Sequence, residues 1–135
     1  MNNPKQAVIL IIIEGKKVLL ERRLPTSALP NHFLFPGGAI EEYELDHPIL
    51  ALKREAMEEL GIIPIKFIAI KNFTGETGTL LKPFIVTVWQ GTIPNKILDR
   101  GNPVFWESIE MVCRSPLESV QEMIKEAKKI LSNNL

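Results

Sequence analysis

Apolar positions along this chain follow two periods, one suited to strands and one to helices. Ala7 to Ile13 is an unbroken run rich in β-branched residues, Glu14-Gly15 reads as a turn, and Lys17 to Glu21 reads as the returning strand. A polar stretch from Leu24 to Asn31 follows, broken by Pro25 and Pro30. Phe33-Leu34-Phe35 is a short apolar segment ended by Pro36-Gly37-Gly38. The next periodic segment predicts a helix from about His47 to Leu60. Pro48 suits its first turn, Asp46 or His47 could cap it, and Gly61 is a natural stop. Ile62 to Phe73 and Leu80 to Gln90 read as a hairpin joined across Gly75–Gly78, and Val104-Phe105-Trp106 resumes an apolar segment after a loop. Ser115-Pro116-Leu117-Glu118 has the form of a capping box opening a last helix. Leu117, Val120, Ile124, Ala127 and Leu131 follow as its core-facing stripe. Strands mixed with two separated helices predict an α/β sandwich, helices packed on a mixed sheet. Met57, Met111, Met123 and the aromatic residues read as core.

At 135 residues the chain is about 0.9 of a typical 150-residue domain, so a single domain spanning 1–135 is expected. Hydrophobic residues at 45% and charged residues at 24% exclude general disorder. No apolar run is long enough to span a bilayer, and no leader pattern precedes Ala7. Cys113 is the one cysteine, so neither a disulfide nor a cysteine zinc cluster holds the fold, and a reducing cytoplasm is the expected compartment. Sixteen basic residues balance sixteen acidic ones, which argues against coating of extended nucleic acid. The balance hides a local excess: residues 37–62 hold seven acids against Lys53 and Arg54. Such crowding is either a solvated helix face or a cation site.

With Ile49 at zero and 100° per residue, Ile49, Leu52, Ala56 and Leu60 group as the apolar stripe of the predicted helix. Glu55, Glu58 and Glu59 fall at about 240°, 180° and 280°, a shared sector roughly 100° wide. Like charges at these spacings cost helix stability, and they lie toward the helix C-terminus, where the macrodipole also disfavours them. A purely structural helix gains nothing from the arrangement, whereas Mg²⁺ or Mn²⁺, which prefer oxygen ligands, would convert repulsion into coordination. Two neighbours favour the cation reading over the solvated face. Pro36-Gly37-Gly38 lets backbone approach a ligand closely, and Arg54 can fix a carboxylate in one orientation.

The stretch Gly38 to Ile62 resembles the Nudix box, G-x5-E-x7-R-E-U-x-E-E-x-G-U with U aliphatic. Arg54-Glu55-Ala56-Met57-Glu58-Glu59-Leu60-Gly61-Ile62 matches its second half with Ala56 as a small apolar U, and Gly38-x5-Glu44 matches its first half. Nine residues rather than seven separate Glu44 from Arg54, a two-residue insertion within Leu45-Asp46-His47-Pro48. Counting back from Arg54 puts Asp46 in the glutamate's place, so either Glu44 or Asp46 could partner Arg54.

The resemblance, closest to the MutT-like members, implies a Nudix-like α/β/α sandwich and metal-dependent hydrolysis of a diphosphate in a nucleoside diphosphate derivative, such as a (d)NTP. It implies Glu55, Glu58 and Glu59 as ligands of Mg²⁺ (or Mn²⁺), with a carbonyl of Gly37 or Gly38. Glu55, Glu58 and Arg54 would then be the catalytic group. Arg54 would orient Glu55, and the general base would come from the triad or a loop acid. Arg23 resembles the arginine that meets substrate phosphates, and Asp99 lies near the place of a further loop acid. Where the MutT pattern carries a purine-reading asparagine, this chain has Cys113-Arg114-Ser115-Pro116. The alternative function is a Nudix-fold module that binds a nucleotide without cleaving it. His32, His47, Ser27, Ser108 and Ser119 show no catalytic context, and Cys113 reads as a small buried hydrophobe. The expected partner is a small nucleotide, with no membrane.

Overall fold

The structure, a computed structural model, describes residues 5–23, 32–93 and 103–133. The elements run β1 (Gln6–Glu14), β2 (Lys17–Arg22), β3 (Phe33–Leu34), β4 (Gly37–Ala39), a 3-10 turn (Glu42–Glu44), α1 (Pro48–Leu60), β5 (Ile63–Ala69), β6 (Phe73–Thr74), β7 (Leu80–Gln90), β8 (Val104–Ser108), α2 (Ile109–Val112) and α3 (Glu118–Asn133). The apolar run of β1 is buried on both faces, which is why it reads as continuous rather than alternating. Its even residues Val8, Leu10 and Ile12 pack with Leu52, Ala56 and Leu60 of α1. Its odd residues Ile11 and Ile13 pack with Val120, Ile124 and Ala127 of α3. The sheet therefore lies between two helices: helices packed on a mixed sheet, as the element pattern predicts, in the α/β/α sandwich that the resemblance implies.

The sheet is mixed. β1 runs parallel to β7, with Gln6 opposite Leu80 and Ile12 opposite Val86, and antiparallel to its other partners. On its other side β1 changes neighbour along its length. Ala7, Val8 and Ile9 pair with Ala39, Gly38 and Gly37 of β4, whereas Ile13 and Glu14 pair with Val18 and Lys17 of β2. β2 meanwhile continues a sheet with β3 and β8. The edge thus forks: β3 stays on β2, β4 stays on β1, and Phe35-Pro36 joins them. The Pro-Gly-Gly segment, read from sequence as the end of an apolar stretch, is itself the strand that makes the second prong.

Several local expectations change. The hairpin 62–90 forms, interrupted at 70–72 so that β5 and β6 pair separately with β7. The capping box at Ser115 does not. Ser115 Oγ accepts from the Leu117 N–H, and the first helical carbonyl of α3 is that of Leu117, two residues later than the sequence signature. The cap instead comes from Glu76 in the β6–β7 hairpin, which accepts from Ser119 N–H at 2.9 Å. Among the methionines, Met123 is core, but Met57 and Met111 are 49% and 54% exposed. Phe33 and Tyr43 are exposed as well, and Cys113 is only partly buried. Size and apolarity alone do not decide burial; the position of the sheet does. No helix among the described residues is long and apolar enough to cross a membrane.

The α1 stop is a left-handed turn. Gly61 has φ +66°, its N–H donates to Met57 O, and Ile62 N–H donates to Ala56 O, the Schellman pattern. No heavy atom lies within 4 Å of a Cβ built there, so the cost of a side chain is conformational alone. Gly61→Ala should lower the unfolding free energy by about 1–2 kcal/mol, read as a reduced urea midpoint with unchanged slope.

Candidate active site

The buried face of α1 is rotated from the stripe centred on Ile49. Ala51, Leu52, Glu55, Ala56 and Leu60 are buried, while Ile49 is 44% exposed. On the same helical wheel that sector centres near about 290°, not zero. Glu55 and Glu59 therefore fall on the inward side, and Glu58 outside it. Accordingly Glu55 is buried, Glu59 half-buried and Glu58 exposed. Burial pushes the Glu55 carboxyl above its ordinary value; Arg54 opposes this, and the charges of Glu59 and Glu58 add to it. Burial also pushes Glu59 up, reinforced by Glu58 and opposed by Arg23. Two carboxylates held close together in a desolvated place store a repulsion that a cation would relieve.

Arg54 organises the cluster, and all five of its N–H bonds have acceptors. Nε donates to Glu44 Oε2 at 2.9 Å and Nη2 to Glu44 Oε1 at 2.8 Å, a bidentate pair. Nη2 also donates to the Ala39 carbonyl at 2.9 Å, tying α1 to β4. Nη1 donates to Glu55 Oε1 at 3.0 Å and to Glu58 Oε2 at 3.1 Å. Glu44 is the partner that the sequence left open. It is 1% exposed and also accepts the Glu41 N–H, closing a capping box around the 3-10 turn. Asp46 is exposed and makes no side-chain hydrogen bond or ion pair among the described residues. The two inserted residues follow the buried glutamate and are absorbed before α1, whose N-cap His47 makes no side-chain cap bond.

β4 passes directly beneath the cluster. A Cβ on Gly38 would run into the Glu55 carboxylate, and a Cβ on Gly37 into the carbonyl oxygen of Val8. Both glycines are needed for close approach, Gly37 to the neighbouring strand and Gly38 to the acid. Arg23 follows β2 and pairs with the buried Glu21 at 3.4 Å. It is near enough to Glu59 for its charge to favour the ionised carboxylate, opposing the upward push of burial.

A cavity of about 240 Å³ opens at the fork, lined by Ile9, Glu21, Arg23, Gly37, Glu76 and Ser119 among others. It shares Gly37 and Arg23 with the surroundings of the glutamates, so the cluster on the α1 side and the cavity on the α3 side adjoin. Glu21, Glu76 and Ser119 were not singled out from sequence. Glu21 sits one residue from the Arg22-Arg23 pair in a strand, a weak signal. Glu76 carries no local signal, since its position depends on a helix more than forty residues away. Asp99 lies outside the described residues.

Among the described residues no three His, Cys, Asp or Glu side chains stand together as a metal cage, Glu58 being turned to Arg54. The donor chemistry does fit a hard divalent ion: carboxylate oxygens of Glu55 and Glu59, with Glu58 on the same helix and backbone of Gly37 and Gly38 alongside.

The Arg54 guanidinium, hydrogen-bonded to Glu44, holds that carboxyl below its ordinary value despite burial. A lowered folded-state pKa means the unfolded chain binds the proton first. The stabilisation is therefore complete above the ordinary value of 4.5 and is lost as pH falls toward the lowered one. Wild-type stability should decline through that acid range, while Glu44→Gln should be less stable at neutral pH with a shallower acid decline. Urea denaturation at several pH values reads both.

Comparison with known proteins bears on this geometry. The model of the NUDIX domain matches residues 3–132. The 8-oxo-dGTP diphosphatase of Escherichia coli is 32% identical over 106 residues, 76% of this chain and 78% of that one. The solution structure of the E. coli ORF135 protein superposes with a TM-score of 0.71 at 27% identity, covering 95% of this chain and 90% of that one. The NUDIX domain of Shewanella oneidensis NrtR, complexed with ADP ribose, gives 0.76 at 16% identity, covering 97% and 90%. With an arginine-anchored glutamate helix beside a glycine strand and a matching fold throughout, the chain belongs to the NUDIX domain family as a MutT-like pyrophosphohydrolase.

Proposed function

We propose that the chain hydrolyses the diphosphate linkage of a nucleotide, a (d)NTP or close relative, with Glu55, Glu58 and Glu59 holding Mg²⁺ or Mn²⁺. The observation that carries this is the buried Glu55 carboxylate beside the half-buried Glu59 on one helix, set against a glycine backbone and adjoining a cavity. When bound, such an ion supplies neutralisation of a multiply anionic substrate and activation of the attacking water. The chain's own residues supply the rest. Arg54 fixes the rotamer of Glu55, and Glu44 fixes Arg54, so the carboxylate is oriented before substrate arrives. Arg23, at the junction of cluster and cavity, meets a substrate phosphate. Gly37 and Gly38 keep the floor open to a backbone contact. Proton acceptance from water falls to a carboxylate of the triad.

The three carboxylates whose loss would leave a binding-only module are all in place. A relative named for 8-oxo-dGTP hydrolysis supports nucleoside triphosphates as the leading substrates. The ADP ribose held by a fold neighbour keeps nucleotide-sugar compounds in the test.

Glu59→Gln should reduce phosphate release by about a hundredfold or more while circular dichroism and melting stay native-like; wild-type turnover would reject the role. Millimolar Mg²⁺ or Mn²⁺ should raise the wild-type melting temperature, as linkage requires, and the rise should shrink in Glu59→Gln. Substrate class is decided by incubating nucleoside triphosphates, dinucleoside polyphosphates, nucleotide sugars and ADP-ribose in ¹⁸O-water and locating the labelled phosphorus.

A further inference from the structure

The cavity at the fork has a chemistry of its own. Its apolar lining includes Ile9, Leu34, Phe35, Leu81 and Met123, surfaces suited to the faces of a flat ring. At about 240 Å³ it is smaller than a drug-sized site of roughly 300 Å³ or more, the scale of a base rather than a whole nucleotide. Its polar lining contains two carboxylates in different states. Glu21 is paired with Arg23. Glu76 has no Lys or Arg at ion-pair distance among the described residues.

Glu76 is nonetheless fixed. Ser119 Oγ donates to Oε1 at 2.6 Å and Ser119 N–H to Oε2 at 2.9 Å, so both oxygens are pinned to the start of α3. Ser119 is itself only 5% exposed. Burial alone would raise the Glu76 carboxyl, but the two bonds from Ser119, with a backbone N–H of Glu76 itself and the charge of His32, outweigh it and hold the group below its ordinary value. An ionised carboxylate offers about four acceptor positions; Ser119 uses two. Each oxygen has acceptor capacity beyond its bond to Ser119, and a carboxylate has no hydrogen to donate.

We propose that Glu76 is the specificity-determining residue of this cavity, accepting hydrogen bonds from two adjacent N–H groups on the edge of the bound base, with Ser119 as its positioning residue. This rests on the nucleotide reading above. A base edge with neighbouring imino and amino donors, as in guanine, matches the paired oxygens. Hypoxanthine lacks the amino group, and thymine offers a single imino donor flanked by carbonyls that the carboxylate repels. Capping of α3 is the structural task of the same residue, and base reading uses the acceptor positions that capping leaves over.

The test is equilibrium binding of dGMP, dIMP and dTMP to the full chain, without metal. Wild type should bind dGMP about tenfold more tightly than dIMP, the scale of one hydrogen bond to a charged group, and dTMP more weakly still. Glu76→Gln should bring the dGMP-to-dIMP ratio to within about twofold. Its amide can still cap α3, accepting from Ser119 N–H and donating to Ser119 Oγ, so the fold is kept and the melting temperature checks this. Ser119→Ala, which frees one oxygen of the acid, should give an intermediate ratio, and Glu76→Asp should restore part of the selectivity lost in Gln. A purely structural role would move all three affinities together and leave the ratio alone. Equal wild-type affinities for dGMP and dIMP, an unchanged ratio in Glu76→Gln, or no binding of any of the three overturns the assignment. Guanine-selective binding without hydrolysis of any nucleotide would instead support it and overturn the catalytic reading; hydrolysis without base selectivity would do the reverse.

Discussion

The site depends on one guanidinium whose hydrogen-bonding capacity is fully used. Arg54 spans three parts of the chain: the 3-10 turn through Glu44, the β4 strand through the Ala39 carbonyl, and its own helix through Glu55 and Glu58. Only arginine provides donors in a planar fork able to reach so many acceptors at once. The bidentate bond to a fully buried Glu44 leaves the arginine one position, and that position aims a remaining donor at Glu55. Lysine, with its charge at a point on a flexible stem, would keep the attraction and lose the orientation.

Around this anchor the carboxylates form a graded set. Glu44 is stabilised as an anion by its bonds to Arg54, whereas Glu55 is burdened by burial and by the charges of Glu59 and Glu58, and Glu59 by burial and by Glu58. Perturbed acids beside a cavity are where chemistry concentrates. Arg54 and Arg23 compensate in part, from opposite sides. The forked edge of the sheet makes this possible. Because β1 trades β2 for β4 along its length, a glycine strand can lie under Glu55 while Arg23 and the cavity open beside it.

Much of this was legible in the sequence, and the failures are specific. The helix 48–60, its Gly61 stop, the order of strands and the acidic cluster all follow from periodicity and punctuation, which are local properties. The motif spacing named Arg54 as the organiser but could not choose between Glu44 and Asp46, since an insertion makes two counts equally valid. The structure chooses Glu44 because its side chain points back under the 3-10 turn, where it is buried and also accepts the Glu41 N–H. The stripe through Ile49 misjudged the face of α1, since Leu52, Ala56 and Leu60 lie on the boundary between two possible sectors. Docking on β1 selected the one that includes Glu55. The same cause leaves Met57 in solvent.

The amino-acid sequence by itself determined which residues carry charge, where the chain turns, and that three glutamates share one side of one helix. Those features depend on neighbours within a few positions. Tertiary structure alone decided how buried each glutamate is, which acid holds Arg54, that two glycines form a strand beneath the cluster, and that Glu76 caps a helix beginning at residue 118. Each of these joins groups distant along the chain. The energies that select them, desolvation and hydrogen bonding between elements, come into being only when the sheet and both helices have packed.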